Sequence, residues 1–577
     1  MTQAIASPIV HDLIGVGFGP SNLALAIALQ ERGPTQGELD VLFLDKQANY
    51  SWHGNTLSTQ SELQISFLKD LVTLRNPTSP YSFVNYLKQH GRLVDFINLG
   101  TFYPCRMEFN DYLGWVAGQF AEQSRYGEEV LTIEPVVHGQ QVDALRVISR
   151  DIQGQQHVRS ARSGVVSAGG TPRIPEAFQA LKDDGRVFHH SQYLSRMAKQ
   201  PCVNNQPMSI AIIGGGQSAA EAFIDLNDSF PSVQVDMILR GSALKPADDS
   251  PFVNEVFSPE FTDLVFQQDS SERERLVNEY HNTNYSVVDL DLIERIYGIF
   301  YRQKVSGIAR HAFRTLTTVE KATATARGIE LVVRNNATGE VTARQYDAVV
   351  LATGYERQMH RKLLAPLEEY LGDFEVDRNY KLITDERCKA GIYMQGFCQA
   401  SHGLSDTLLS ILPIRADEIA LDGVAGSIDE GDAVVGNAGA GRGGRRRVGS
   451  RALCERQPRR LEAAGGRPPA VSRDTGRRFR RRSGSTGRGV PASCGADRRR
   501  ARGRRGTRSC PLPDVLRFFR ALPCRPSAVR LFLRNSRIRQ SPNFLRGWRK
   551  VPEMQGLWID RDFPMRGRGG SACFLFV

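Results

Sequence analysis

The 577 residues are 41% hydrophobic with a formal net charge of +12, enough apolar chain for two or three domain cores and too much for a polymer disordered throughout. No run of about 18 apolar residues offers a membrane span, and the N-terminus has no basic segment leading into an apolar core. The nine cysteines contain no C-x-x-C pair, which argues against a disulfide framework and against a zinc or dithiol centre, so a cytoplasmic protein is expected.

In chain order, the first predicted unit is a strand through Leu13 and Ile14, a turn at Gly15-Val16-Gly17-Phe18-Gly19-Pro20-Ser21-Asn22, and a helix over LALAIALQERG. In this reading Gly15 permits the turn and Gly17 lets the backbone approach a pyrophosphate. The free N–H groups and positive dipole end of the helix then favour the negative charge. Pro20 replaces the usual third glycine, and a first helical turn needs no donor there. The next strand, Val41–Leu44, runs into Asp45, whose carboxylate suits both hydroxyls of an adenosine ribose, so FAD or NAD is expected.

A second strand, Ser209–Ile213, leads into Gly214-Gly215-Gly216-Gln217-Ser218-Ala219 and another helix. Here the following strand, Val233–Leu239, ends at Arg240, and a planar guanidinium matches a 2′-phosphate, so NADPH is preferred over NADH. Two dinucleotide folds in one chain predict a flavoprotein in which hydride passes from nicotinamide to flavin. The segment after Asp45 lacks the cysteine pair of a disulfide reductase, leaving oxygen as the electron acceptor. Adjacent His189 and His190 on a strand face opposite sides and make a poor metal pair, so no metal is expected. Neither G-x-S-x-G nor H-E-x-x-H occurs, and no catalytic nucleophile is assigned.

The strand Ala348–Leu351 continues as Ala352-Thr353-Gly354-Tyr355 and reaches His360, matching D-x3-(L/F)-A-T-G-Y-x4-(H/P) at every fixed position. With QISFLKDLVTLRNPTSPYSFVNYL at 64–87 and ASHGLSDTLLSILPIRADEIA at 400–420, residues 8–420 resemble the microbial N-hydroxylating flavin monooxygenases that act on ornithine or lysine in siderophore assembly. The stretch 165–175 and the strand ending in Ala352-Thr353-Gly354 resemble that family's two crossings between its FAD and NADPH lobes. The resemblance implies cofactor contacts from Trp52, His53, Gln64, Val130, Asn284, Tyr285, Ser286, Thr407, Leu408 and Leu409, beside the two glycine turns. It implies substrate contacts from Lys69, Asn254, Glu255, Asn284 and Ser410, Lys69 being suited to pair with an amino-acid carboxylate in a partly dry pocket. It further implies a homotetramer and a C4a-hydroperoxyflavin, shielded by NADP+, whose distal oxygen is attacked by a neutral amine. The longest matching blocks resemble pseudomonad ornithine hydroxylases, which favours L-ornithine and N5-hydroxyornithine. L-Lysine N6-hydroxylation remains the alternative, since one methylene is worth roughly 1–3 kcal/mol of discrimination.

Residues 421–577 differ in kind, with 35 Arg and one Lys against 12 acidic residues, a net +24 that leaves residues 1–420 at −12. So lopsided an Arg:Lys ratio reads as GC-rich DNA translated out of frame. The competing reading is an Arg-rich nucleic-acid-binding tail, but no nucleic-acid partner is expected. The expected fold is therefore α/β: two Rossmann-like dinucleotide-binding domains, a small substrate-binding region, and a disordered or aberrant Arg-rich tail. The expected spans are 1–205 and 341–420 for the FAD domain, 206–340 for the NADPH domain with the substrate insert, and 421–577 for the tail.

Overall fold

The computed structural model describes residues 10–33, 39–58 and 61–434, and three short segments, 548–550, 557–560 and 574–576. The first lobe is built on β1 (Val10–Val16), β2 (Val41–Asp45), β3 (Ser124–Tyr126), β4 (Glu128–His138), β5 (Gln141–Asp151) and β6 (Gln156–Val166), in the order β3-β2-β1-β6-β5-β4. β1, β2, β3 and β6 pair in parallel, whereas β4-β5-β6 form an antiparallel meander that the α/β rhythm of the sequence did not announce. All five residues of β2 are buried, as expected of a strand covered on both faces. Residues 22–29 of the Pro20–Arg32 helix are likewise buried all round, because the long helix Leu412–Val434 packs on that helix within the same core.

The chain crosses into a second lobe through β7 (Thr171–Pro172). There β8 (Val187–His189), β9 (Met208–Ile213), β10 (Val233–Ile238) and β11 (Ala312–Arg314) lie in a parallel sheet ordered β11-β10-β9-β15-β8. β12 (Thr317–Thr325), β13 (Gly328–Asn335) and β14 (Val341–Tyr346) form an antiparallel meander whose Ile329, Leu331 and Val333 pack with Val349 and Leu351 of β15 (Ala348–Leu351). The return crossing is β16 (Tyr355–Glu356), paired antiparallel with β7, and β17 (Gly391–Met394) then rejoins the first sheet beside β6.

Four expectations are corrected. β8 and β15 fall in the spans 1–205 and 341–420, yet both belong to the second sheet, because β15 inserts between β8 and β9 with parallel hydrogen bonds to each. Gly15 lies within β1 and not in the turn: a Cβ there would stand 2.3 Å from the Phe43 ring, so close packing is what excludes a side chain. The strand before Arg240 ends at Ile238, two residues early. The last helix runs on to Val434, past the boundary at 420. Most of residues 421–577 lie outside the described residues, and with them the reading of that tail. Within 448–577, the segments Trp548–Lys550, Leu557–Asp560 and Phe574–Phe576 pair as a three-stranded antiparallel sheet. Among the described residues no helix is long and apolar enough to cross a membrane.

Candidate active site

At the first glycine turn, Gly17 has φ +85° and a Cβ on it would meet the Ser167 carbonyl oxygen at 2.6 Å, so both conformation and space demand glycine. Gly19 is the N-cap and Pro20 occupies the first turn of the helix. No side chain caps its free N–H groups and its first turn carries no acidic residue, so they are open to an anion. Asp45, buried at the end of β2, accepts from the Phe18 N–H through Oδ2 and from the Gln47 N–H through Oδ1, both at 2.8 Å. Each oxygen keeps a lone pair for a ribose hydroxyl. Val130 is buried on β4. In the loop after β2, the Trp52 N–H donates to Asn110 Oδ1 at 2.7 Å, and its ring meets His53 edge-on at 4.6 Å. His53 is exposed with φ +57°.

The second turn repeats the design. Gly214 has φ +145°, and a Cβ there would fall 2.3 Å from the Ala352 carbonyl, so the Ala352-Thr353-Gly354 turn closes directly on it. Gly215 packs on Leu239, and Gly216 is the uncapped N-cap of the Gln217–Ser229 helix, facing Ser286 Cα at 3.5 Å from its Cβ position. Ser218 is half-buried in that first turn. Arg240 is exposed beside the turn and has no carboxylate within ion-pair reach among the described residues. His189 is structural: Nδ1 meets Ser191 Oγ and Nε2 meets the Gly354 carbonyl, each at 3.0 Å, while His190 begins the next short helix.

Among the residues expected to contact substrate, Lys69 is half-buried, and desolvation draws its ammonium below the usual lysine range. Neighbouring Asp70 does not neutralise it. Asp70 is buried and accepts from the N–H groups of Val72, Thr73 and Phe83 and from the Thr73 hydroxyl. Three other segments converge: Tyr285 and Thr407 share a hydroxyl–hydroxyl hydrogen bond, the Ser405 hydroxyl donates to the Val256 carbonyl at 3.2 Å, and Tyr285 and Leu408 pack with Val256, Phe257 and Leu404. Asn254 and Glu255 lie exposed on that 253–257 turn, and the Asn254 amide donates to the Asp249 carbonyl at 2.8 Å. Asn284 is half-buried and Ser286, at φ +60°, exposed. Thr407, Leu408 and Leu409 are half-buried, and Ser410 is buried with no partner for its hydroxyl oxygen. Gln64, across the site, donates to Asp289 Oδ1 at 2.9 Å.

Sequence reasoning missed the polar residues behind these contacts. Asp406 and Arg415 form a fully buried ion pair at 2.8 Å; Arg415 also reaches Ser21 in the first helix, and Gln395 donates to Asn22, whose amide holds the Gly17 carbonyl. Arg106 pairs with Glu221 at 2.9 Å, and burial still keeps the Glu221 carboxyl above its usual range. Nothing in local periodicity marks these residues; only the fold makes them neighbours.

A family model described as L-lysine 6-monooxygenase/L-ornithine 5-monooxygenase matches residues 9–357. An L-ornithine N(5)-monooxygenase of Pseudomonas aeruginosa is 76% identical over 419 residues, 73% of this chain and 95% of the relative. One from Burkholderia cepacia is 50% identical over 403 residues, 68% of this chain and 90% of the relative. Among solved structures, the ornithine hydroxylase of Pseudomonas aeruginosa is similar at a TM-score of 0.70 and 73% identity, covering 73% of this chain and 100% of that one. A structure of the Kutzneria sp. 744 ornithine N-hydroxylase with FADred, NADP+ and L-orn gives a TM-score of 0.68 at 36% identity, covering 72% and 99%.

Proposed function

Because the chain belongs to the L-lysine 6-monooxygenase/L-ornithine 5-monooxygenase family, we infer that it hydroxylates the side-chain amine of L-ornithine, with FAD bound, at the expense of NADPH and O2. The products are N5-hydroxyornithine, NADP+ and water, a hydroxylamine fit for siderophore assembly. The observation that carries this reading is the pair of glycine turns, each with an uncapped helix N-terminus and a position where a Cβ would strike backbone, flanked by Asp45 in one lobe and Arg240 in the other. Those features suit a ribose-pyrophosphate at the first turn and a 2′-phosphorylated dinucleotide at the second.

Bound there, the flavin supplies oxygen activation with electrons taken from the nicotinamide. The chain's own part is positional. Gly17 and Gly214 let backbone approach the two pyrophosphates, Asp45 holds the FAD ribose, and Arg240 selects NADPH. Thr407, Leu408 and Leu409 lie along the flavin with Trp52, His53, Gln64 and Val130. Lys69, a half-buried cation without a carboxylate partner among the described residues, takes the α-carboxylate of the amino acid. Asn254, Glu255, Asn284 and Ser410 hold its polar groups, and the orphaned Ser410 hydroxyl is a natural donor to it. Tyr285 and Ser286 close the NADPH turn. We further propose a cytoplasmic homotetramer. The test is to supply FAD, NADPH and oxygen with L-ornithine or L-lysine and measure hydroxylamine by mass spectrometry. Hydroxyornithine is the expected product; hydrogen peroxide alone with both amino acids would refute the hydroxylase reading, and hydroxylysine alone would reverse the substrate.

A further inference from the structure

Asp289 stands at the N-cap of the Leu290–Ser306 helix, where aspartate ordinarily accepts a bond from a first-turn N–H, yet its side chain makes none. Both carboxylate oxygens are instead committed sideways. Oδ1 accepts from Gln64 Nε2 at 2.9 Å and Oδ2 from Gln217 Nε2 at 2.8 Å, while the Asp289 N–H donates to Gln217 Oε1 at 3.0 Å. Gln217, the first residue after the second glycine turn, is thereby gripped at both ends of its amide, and its Nε2 also reaches Glu221 Oε1 at 3.0 Å. Glu221 continues the chain to Arg106. Gln64 and Arg106 are themselves tied together, since the Arg106 N–H donates to the Ser61 carbonyl and the Leu63 N–H to the Pro104 carbonyl, each at 2.9 Å. One carboxylate thus joins a first-lobe loop to the opening turn of the second-lobe helix.

We infer that Asp289 is a positioning residue that sets the second dinucleotide site against the first, by locking Gln217 in the turn that receives NADPH and Gln64 on the flavin side. The inference rests on the FAD and NADPH reading above. Asp289 spends its charge on two glutamines at the cost of its cap, and a charge-assisted bond of this kind is worth about a tenfold change in an equilibrium constant or more. An asparagine in its place is the same size but turns a donor toward one of the two glutamine donors.

The test uses FAD-loaded full-length enzyme and two readouts: NADP+ affinity by calorimetry and the anaerobic rate of flavin reduction by NADPH. Asp289→Asn is expected to weaken NADP+ binding and slow reduction about tenfold each, with FAD content and melting temperature unchanged. Gln217→Met is expected to do the same, and adding Asp289→Asn to it to cost no more than about twofold further, because the two act through their shared hydrogen bonds. Unchanged NADP+ affinity in Asp289→Asn, fully multiplicative losses in the double variant, or loss of FAD or fold in Asp289→Asn would each overturn the inference. A wild-type enzyme that binds NADP+ but makes no hydroxylamine would refute the function proposed above and leave this test standing.

Discussion

Replacing Arg415 by methionine removes the cation of the most deeply buried ion pair described, with side-chain exposures of 1% for Arg415 and 0% for Asp406. The guanidinium donates to Asp406 Oδ1 at 2.8 Å, Ser21 Oγ at 2.9 Å, Gln395 Oε1 at 3.2 Å and the Asp406 carbonyl. Methionine fills most of the space and makes none of these bonds. Four hydrogen bonds at about 1 kcal/mol net each suggest a loss of about 4 kcal/mol. The measured cost of stranding one partner of a buried pair, about 3–5 kcal/mol, gives the same figure by another route. At about 2–4 °C per kcal/mol, the melting temperature is expected to fall by roughly 6–20 °C. FAD retention should fall with it, because Asp406 adjoins Thr407 and Ser21 lies in the first turn of the helix after the Gly17 loop. Adding Asp406→Asn removes the stranded charge but keeps an acceptor for only one of the Gly396 and Cys398 N–H groups, which bond separate carboxylate oxygens, so roughly 1 kcal/mol should return. Thermal melts with flavin quantitation decide the matter: Arg415→Met melting within about 2 °C of wild type would refute the reasoning.

Arg240→Ala is expected to raise the KM for NADPH roughly 10- to 150-fold while leaving NADH nearly unchanged, as loss of a charge-assisted phosphate contact requires; steady-state kinetics with both nucleotides checks it. Lys69 must be protonated to pair with a carboxylate, and burial lowers its pKa, so the KM for ornithine should climb with pH from below the ordinary lysine value of 10.5. A Lys69→Met profile should show a higher KM and lose that limb. The buried histidines His189, His311, His360 and His402 have pKa values drawn down to about 4, and His190 to about 3, in each case chiefly by desolvation. The unfolded chain takes up protons below 6.5 and the folded chain does not until about 4, so stability present above pH 6.5 should be lost as pH falls toward 4. Chemical denaturation at pH 7.5, 6 and 5 measures it.

Much of the fold was legible because its strands advertise themselves. β2 is an apolar run ending in an acid and β9, with one serine, a largely apolar run ending in a glycine turn, the pattern expected of strands covered on both faces. Gly17 and Gly214 lie in strand-to-helix turns and Pro20 in a first helical turn, as the strand–turn–helix pattern implied. Strand membership was harder to read: nothing in AVVL says that it slots between β8 and β9, since sheet order is a matter of crossings and not of composition. Gly15 misled for a related reason, because absence of a side chain signals either a turn or a close neighbour, and Phe43 lies 28 residues away in sequence. Nothing in the sequence around Asp289, Asp406 or Arg415 marks them out. Their roles come from partners up to 394 residues distant.

The return of β17 to β6 has a consequence for how the polypeptide is made. β6 emerges from the ribosome at residue 166, but the strand that completes its edge follows about 225 residues later. At about 5–20 residues per second the nascent sheet waits roughly 11–45 s with that edge open. The Pro20–Arg32 helix waits longer still for Leu412–Val434 to cover its outer side. The second lobe, whose five-stranded sheet and three-stranded meander lie between residues 187 and 351, finishes while the first is still incomplete. Vectorial synthesis therefore exposes an unpaired strand and an apolar helix face together, which makes the first lobe the more aggregation-exposed of the two lobes during translation.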